Sequence, residues 1–314
     1  TTTLREAAAA LVGNLAIKNP PNQAALVAAG ALPPLVRLLR DGEPTAKEQG
    51  CFALWNLACR NTANQAAALA AGAVEPLVAM VKAGAPAARE EAAGALMNLA
   101  AHVEAKAAIV RAGAVAPLVK MLGDGDGMAE QAAGALMNLA SSHPANQRAI
   151  LDFKPLPTLV AMLNKARGTS RRAREYAAGA LRNLMHEQPD TQSAVHQAGA
   201  VKPLVAMLLE DEGQPDEAAG ALCNLAESGA PVQSAIVDAG AVAPLVKLLA
   251  AGSSSAACEA AAHALCNLAE KDANRRKVAD AGAVAPMAGL LSSDGGEVAE
   301  LAAHALSHLA VGAA

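Results

Sequence analysis

The sequence predicts an all-α solenoid of stacked helical repeats, and two recurring segments carry this prediction. The first has the form Ala-Leu-x-Asn-Leu, and its asparagine recurs after steps of 42, 42, 40, 45, 41 and 43 residues, with a histidine in its place 41 residues later. The second has the form Ala-Gly-Ala-Val-x-Pro-Leu-Val and recurs in phase with the first. Two linked motifs with a period of about 42 residues indicate a repeat array rather than two globular domains.

The composition agrees with this fold. The 314 residues are 53% hydrophobic but only 1% aromatic, and most of the apolar residues are alanine, leucine and valine. Such side chains suit thin, closely packed helices better than a deep core built around large rings.

Each repeat is expected to contain three helices, as residues 61–102 illustrate. Gly72 ends a short first helix, because glycine readily takes the left-handed conformation that a tight turn needs. Pro76 lies in the first turn of a second helix, where its missing N–H is tolerated. A third helix over about 87–101 carries apolar residues at i, i+3, i+4 and i+7. Three such helices cannot bury their own apolar faces, so neighbouring repeats must stack.

These motifs resemble the armadillo repeat family; HEAT repeats share the period but usually lack this Gly-Ala turn and Leu-x-Asn-Leu third helix. The sequences of these motifs are more similar to those of plant or algal and junctional armadillo proteins than to those of importin-alpha. The resemblance implies a right-handed superhelix in which 1–314 form a single array. The lone third helix at its start indicates a repeat cut short, with further residues expected upstream. The partial repeat covers 1–18, and the full repeats cover 20–60, 61–102, 103–142, 143–187, 188–228, 229–270 and 271–312.

The recurrent asparagine indicates a specific chemical role, because helix packing alone does not explain a carboxamide side chain at the same position of successive repeats. A carboxamide offers one acceptor and two donors, which match the N–H and C=O groups of an extended peptide. In the armadillo family this residue lines the concave groove and binds ligand main chain. The resemblance therefore assigns peptide binding to Asn56, Asn98, Asn138, Asn183, Asn224 and Asn267. The alternative is that each asparagine bridges neighbouring third helices, and the two roles are compatible.

Residues four and seven positions before each asparagine share its helix face. Importin-like proteins commonly carry tryptophan at the four-before position, whereas four successive copies here carry glycine, so an importin role is not expected. The recurrent glycine indicates close approach of a ligand backbone or of a neighbouring helix. Acids at the seven-before position are expected to meet basic ligand side chains. The predicted peptide-binding set is completed by Trp55, Glu91, Tyr176 and Glu217.

An acidic residue stands eight positions before every asparagine or its histidine replacement. One interpretation is an acidic groove that favours basic ligands. The other, which we favour, is a carboxylate in the first turns of each third helix, where it interacts well with the helix dipole. The residues are Glu6, Glu48, Glu90, Glu130, Glu175, Asp216, Glu259 and Glu300.

One repeat is irregular. Its 45-residue step contains the basic segment 165–174, and Lys154-Pro155 replaces the usual Gly-Ala turn. A basic insertion is either a recognition element for an acidic or phosphorylated partner or a solvated loop, and the solvated loop is favoured.

Several function classes are not expected. A net charge of -4 provides no basic field for nucleic acid, and no apolar run has the length for membrane insertion. Five cysteines without a CxxC motif indicate packed free thiols and a cytoplasmic and/or nuclear protein. The glycine-rich segment 123–127 is predicted to be the loop that joins a second to a third helix. His263, His304 and His308 are predicted to be groove residues rather than metal ligands. The sequence therefore predicts no enzyme, catalytic residue, metal or cofactor.

The leading functional prediction is a protein-interaction scaffold that binds an extended segment of a protein or peptide, with a preference for basic side chains. The oligomeric state stays open, and a monomer is favoured. Two alternatives are a structural or self-assembling scaffold or adaptor, and the substrate-recognition region of a larger protein such as a U-box ubiquitin ligase.

Overall fold

The computed structural model describes residues 2–210, 213, 215–250, 253–292 and 296–311, in which helices are the only regular secondary structure. It divides into two compact units, Thr1–Thr158 and Leu159–Ala314. The first contains α1 (Thr2–Ala16), α2 (Pro20–Ala28), α3 (Leu32–Asp41), α4 (Pro44–Ala58), α5 (Thr62–Ala70), α6 (Val74–Ala83), α7 (Pro86–Leu99), α8 (Val103–Arg111), α9 (Val115–Met121), α10 (Asp126–Ala140) and α11 (Pro144–Leu151); α12 (Leu156–Met162) lies at the boundary.

In the second unit α12 is followed by a 3-10 turn at Lys165–Arg167. The helices that follow are α13 (Arg171–Met185), α14 (Pro189–Gln197), α15 (Val201–Leu208), α16 (Asp216–Ala226), α17 (Ala230–Asp238), α18 (Val242–Leu248), α19 (Ser255–Ala269), α20 (Asp272–Asp280), α21 (Val284–Leu290) and α22 (Gly296–Val311). The third helices pack on one another in succession: α1, α4, α7 and α10 in the first unit, and α13, α16, α19 and α22 in the second. The expected stacking of three-helix repeats is confirmed, and the chain is an α-solenoid.

The Gly-Ala motif forms the turn between first and second helices. Gly72 has a φ of 72°, and its N–H donates to Leu69 O at 3.0 Å. The N–H of Ala73 donates to Ala68 O at 3.1 Å, which completes a Schellman motif. In the irregular repeat Lys154 takes the left-handed conformation with a φ of 53°, and Pro155 has no N–H for the second bond. The turn is kept there with one hydrogen bond fewer.

The interior is built from leucine and alanine. Leucine two residues before the asparagine and alanine three residues before it are almost fully buried, as Leu96 and Ala95 show. All five cysteines are free thiols, as the sequence predicts, and three are buried. Burial raises the pKa of the Cys51 thiol and takes that of Cys223 to about 12, so both stay protonated and pack as small apolar groups.

Candidate functional site

The third helices of the first unit bring Asn98 and Asn138 into a repeating arrangement. Asn98 Nδ2 donates to the main-chain oxygen of Trp55 on α4 at 2.8 Å. Asn138 Nδ2 donates to Met97 O on α7, also at 2.8 Å. In both cases the acceptor is the residue immediately before the asparagine of the preceding repeat. The asparagine therefore joins neighbouring third helices, which is the alternative role raised by the sequence.

The same bond occurs within the second unit. Asn224 Nδ2 donates to Arg182 O on α13 at 2.8 Å, while Asn183 is half-buried on α13. Asn267 Nδ2 is buried and has no hydrogen-bond partner in the described part of the chain. Asn56 in the first unit differs again, because its Nδ2 donates to Phe52 O of its own helix at 2.9 Å.

The bridging bond uses only part of each carboxamide. An asparagine side chain has two N–H donors and an oxygen that accepts. Among the described residues no hydrogen bond reaches Oδ1 of Asn98, Asn138 or Asn224, and Asn98 and Asn138 are half-exposed. Each amide is held in one orientation by the scaffold and keeps its acceptor for another group.

The recurrent glycine is explained by a neighbouring helix. A Cβ placed on Gly94 of α7 would lie 2.6 Å from Cε2 of the Trp55 indole on α4. A Cβ on Gly220 of α16 would lie 2.5 Å from Nε of Arg182 on α13. Trp55 is half-buried, with its ring over Gly94. The large side chain of Trp55 or Arg182, immediately before an asparagine, thus occupies the space that a side chain at the glycine of the next third helix would fill.

The predicted acidic residue Glu91 lies one turn before Gly94 on α7. Its Oε2 is buried without a hydrogen-bond partner, although the residue as a whole is half-exposed. Desolvation, together with the smaller effects of the charges of Glu90 and Glu48, raises the pKa of Glu91 to about 7. The carboxyl group therefore changes charge near neutral pH, and it forms no ion pair with any residue that the structure describes.

The other predicted site residues already have partners. Glu217 Oε2, at the same repeat position as Glu91, accepts from Arg182 Nη1 at 3.4 Å. Tyr176 accepts at its hydroxyl from Nε and Nη2 of Arg172 at 3.0 and 2.8 Å, and the guanidinium carbon lies 5.4 Å from the ring centroid. Among the predicted acids, Glu91 is the one with a buried oxygen left unpartnered.

The acids eight positions before the asparagine lie near the start of the third helices. Most lie at the fifth residue of their own helix, beyond its first turn. Glu6 Oε2 accepts from Oγ1 of Thr45, the second residue of the next third helix, at 3.1 Å. A Cβ on Gly127, the second residue of α10, would lie 2.5 Å from Oε1 of Glu90. In these two copies the carboxylate lies at the N-terminus of the following third helix, where it interacts favourably with the helix dipole and joins two repeats.

The basic segment 165–174 is not simply a solvated loop. Arg174 is buried on α13, with its side chain 4% exposed. Its Nη1 and Nη2 donate to the two carboxylate oxygens of Glu210 at 2.6 and 2.9 Å. Lys165, Arg167 and Arg171 are exposed, as the solvated-loop interpretation expects. One arginine of the segment therefore fastens two repeats together.

A second polar array was not predicted. Asparagine and glutamine at the start of several first helices reach carbonyls at the ends of third helices. Asn64 Nδ2 donates to Leu57 O at 2.9 Å, and Gln65 Nε2 donates to Ala58 O at 3.0 Å. Equivalent glutamines are Gln23, Gln147, Gln192 and Gln233. The recurrent Asn-Gln pair was the sequence signal, and it satisfies helix C-termini that would otherwise be buried without partners.

Within the described ranges no group of three or more His, Cys, Asp or Glu side chains is placed to hold a metal ion. In the same residues no single helix has the length and apolar composition to cross a membrane, and α5 with α6 passes that test only as a pair bent by 86°.

Comparison with known proteins identifies the type of helical repeat. An armadillo/beta-catenin-like repeat profile matches residues 102–141 and 230–270, and a HEAT-like repeat profile matches residues 2–57. No curated protein matches the chain. The fold and the repeats define a helical repeat protein of the kind that typically forms protein-interaction scaffolds rather than enzymes. The chain contains armadillo and HEAT-like repeats.

Three crystal structures of engineered proteins are similar to the chain. One is 34% identical with a TM-score of 0.83 and aligns over 99% of this chain and 76% of its own. A second is 35% identical with a TM-score of 0.66, covering 76% of this chain and 97% of that one. The third is 31% identical with a TM-score of 0.66, covering 76% and 99%. These structures support the solenoid fold over nearly the whole chain.

Proposed function

We propose that the chain is a protein-interaction scaffold that binds an extended peptide segment across its third helices. The observation that carries the proposal is the fixed carboxamide of Asn98 and Asn138, with Oδ1 unpartnered on a half-exposed surface. A side chain already held in place loses little conformational entropy when a ligand binds. The two asparagines present acceptors to the N–H groups of a peptide main chain.

The ligand carries a basic side chain near Glu91. The buried Oε2 of Glu91 lacks a partner, and the Trp55 indole covers Gly94 one turn away. A lysine or arginine stem can pack on an indole while its charged group meets a carboxylate. The matching position in the second unit is different, because Glu217 is paired with Arg182. Preference for a basic residue is therefore confined to the first unit.

The proposal extends to the cellular compartment. Five free cysteines, three of them buried, suit a reducing environment. We assign the chain to the cytoplasm and/or nucleus, which microscopy of a tagged chain tests.

Replacing both Asn98 and Asn138 with alanine is expected to weaken peptide binding about tenfold or more, because two hydrogen bonds to the ligand main chain are lost. The probe is a peptide of about a dozen residues selected from a random library against the wild-type chain. Its dissociation constant is measured by fluorescence anisotropy. N-methylation of the peptide amides that contact Oδ1 should weaken binding similarly.

A matched control separates binding from stability. Asn64 and Asn146 are buried in the first helices α5 and α11, and each donates to a third-helix carbonyl, Leu57 O and Leu139 O. The variant with both of these replaced by alanine loses comparable scaffold bonds but should keep its affinity. Equal loss in the two double variants, or full affinity in the Asn98/Asn138 variant, would reject the proposal.

Binding of an arginine-containing peptide should tighten about tenfold between pH 6 and pH 8. The free Glu91 carboxyl has a raised pKa of about 7, so below this pH the peptide must first displace a proton. A guanidinium lowers that pKa in the complex, while the arginine itself does not titrate in this range. Anisotropy titrations across the pH range measure the effect.

Two variants test the assignment of this pH dependence. Glu91→Gln should flatten the profile and weaken binding at pH 8, where the wild-type carboxylate is charged. Replacing the peptide arginine with citrulline should also remove the dependence. A pH profile that persists in Glu91→Gln would assign the proton to another group and reject the role of Glu91.

A further inference from the structure

Two ion pairs join neighbouring repeats at the same pair of positions. The cations are Arg89 on α7 and Arg174 on α13, each nine residues before the asparagine of its helix. Arg89 Nη2 lies 2.8 Å from Oδ2 of Asp124, and Arg174 donates to both carboxylate oxygens of Glu210. Each acid stands fourteen residues before the next asparagine, in the loop ahead of that third helix. A carboxylate at this place therefore neutralises the cation of the preceding repeat.

At the junction between α4 and α7 the cation is present and the acid is not. Lys47 stands nine residues before the asparagine of α4, and Gly84 stands fourteen residues before the asparagine of α7. Lys47 is half-exposed, and its ammonium group has no hydrogen-bond or ion-pair partner among the residues that the structure describes. Lys47 thus lacks the carboxylate that Arg89 and Arg174 have.

The turn at Gly84 explains why the chain places no acid there. The N–H of Gly84 donates to Met80 O at 2.7 Å as α6 ends. A Cβ placed on Gly84 would lie 2.6 Å from that same oxygen and 2.8 Å from Cε of Met80. An aspartate or glutamate at this position would therefore clash with the backbone of α6. A carboxylate that pairs with Lys47 at this place has to come from another molecule.

An open cleft of about 710 Å³ lies at this junction, and both Lys47 and Gly84 line it. It is bordered by the second helices α3 and α6 and by the start of α4, and we call it the α3–α6 cleft. Its volume is within the range of small-molecule sites in proteins. Much of its remaining wall is apolar, including Leu39, Pro76, Ala79 and Met80.

The other charged residues of the α3–α6 cleft lie toward its opposite end. Glu75 is in the first turn of α6, and nine residues separate it from Gly84, which is about 13 Å along a helix. Arg40 reaches the turn before α6, where its Nη2 donates to Gly72 O at 3.4 Å. One positive and one negative side chain therefore share that end. Lys47 is the cation at the Gly84 end.

The walls of the α3–α6 cleft define the class of ligand. A carboxylate that meets a single half-exposed lysine gains little affinity from the charge alone, because solvent screens the interaction. An aliphatic chain attached to it would leave water along the apolar wall formed by Met80, Ala79 and Pro76, which adds affinity. The cleft therefore suits a ligand with one negative group and an apolar body, and it suits neither part by itself.

We propose that the α3–α6 cleft binds a small aliphatic carboxylate. The carboxylate accepts a charge-assisted hydrogen bond from Lys47 Nζ beside Gly84, in the place that Asp124 and Glu210 fill at their own junctions. The aliphatic chain lies along α6 toward Pro76. This site lies mainly between second helices, whereas the proposed peptide site lies on third helices, so the two proposals are independent.

Octanoate is the probe, and NMR spectra of the full chain with isotope-labelled methionine methyl groups report where it binds. The Met80 methyl group lies beside Gly84 in the cleft, so millimolar octanoate should shift its signal saturably. The signal of Met121, which is fully buried on α9, should stay unchanged. Octanol and octylammonium lack the carboxylate and should bind at least tenfold more weakly. No shift at Met80, or equal affinities for octanoate and octanol, would overturn the proposal.

Lys47→Gln should weaken octanoate binding at least tenfold, because it removes the ammonium group that meets the carboxylate. The matched control is Lys82→Gln, which removes the same charge from α6. Lys82 donates to Ala112 O at 3.1 Å and does not line the cleft, so this variant should keep its affinity. Equal losses in the two variants would show that net charge rather than the cleft sets the affinity, and would reject the site.

The two proposed sites can be told apart with the same variants. Lys47→Gln should keep its affinity for the selected peptide, and the variant with Asn98 and Asn138 replaced by alanine should still bind octanoate. Loss of octanoate binding in that double variant would contradict a separate site between α3 and α6. Unchanged thermal unfolding of each variant shows that it is folded.

Discussion

Glu210→Ala is expected to lower the free energy of unfolding by about 3–5 kcal/mol, because it leaves the Arg174 guanidinium buried without a counterion. Arg174 is 4% exposed and donates two hydrogen bonds to Glu210. Its Nε is buried and has no partner of its own, so the carboxylate provides the main compensation for burying the charge. Urea unfolding monitored by circular dichroism measures the loss.

A second ion pair between neighbouring repeats supplies the control. Arg182 and Glu217 in the same unit are 41% and 30% exposed, so solvent screens their interaction. Glu217→Ala should cost about 0–1 kcal/mol. Replacing both Arg174 and Glu210 with apolar residues of similar size should recover most of the loss, since no unpaired charge remains. Equal losses for Glu210→Ala and Glu217→Ala would contradict this account.

The same pair predicts a pH dependence. The hydrogen bonds from Arg174 hold the pKa of Glu210 below its usual value. The stabilisation is therefore complete above the pKa of an unfolded glutamate and is lost as pH falls through the lower pKa of the folded chain. Acid unfolding of the Glu210→Ala variant should lack this contribution.

The fold was predictable because its signals are local and repeated. The glycine of each Gly-Ala turn takes the left-handed conformation that the motif demands, as Gly72 shows. Alanine and leucine at helical spacing are buried in successive third helices. Because the fold was predicted from many copies of the repeat, one irregular copy does not change the prediction. Lys154-Pro155 alters the turn, but the helices on both sides of it are kept.

The chemistry of the candidate site was less predictable, because it depends on the register between adjacent helices. Glu91 and Glu217 occupy the same repeat position, yet the first has an unpartnered oxygen and the second is ion-paired. The difference comes from the preceding repeat, which has Trp55 in one case and Arg182 in the other. Their residue types are visible in the sequence, but the contact requires knowledge of how the third helices align.

The same register shows a pattern of complementary sizes. Gly94 follows Trp55 and Gly220 follows Arg182 across adjacent third helices. The first pair of helices reverses the order, since a side chain on Gly13 would overlap the ring of Phe52. In each of these three junctions one large and one small residue share the space, whichever helix carries the large one. The glycine at this position is thus fixed by its neighbour, and a close ligand backbone is not needed to explain it.

Gly94→Phe is expected to lower the free energy of unfolding by about 3 kcal/mol, because two aromatic rings cannot share the space above α7. Even the Cβ atom would lie 2.6 Å from a rigid indole. Trp55→Gly alone should also destabilise the chain, through the cavity that it leaves and the cost of glycine within a helix.

Together, Trp55→Gly and Gly94→Phe recreate the arrangement of Gly13 and Phe52, so the double variant should be more stable than the sum of the single effects by about 2–3 kcal/mol. Urea unfolding of the four chains gives this coupling energy. Gly220→Ala is the matched control, because flexible Arg182 can move away and alanine favours a helix by about 0.5–1 kcal/mol over glycine. Strictly additive effects of the two substitutions would show that Trp55 and Gly94 do not depend on each other, and the rule of complementary sizes would fail.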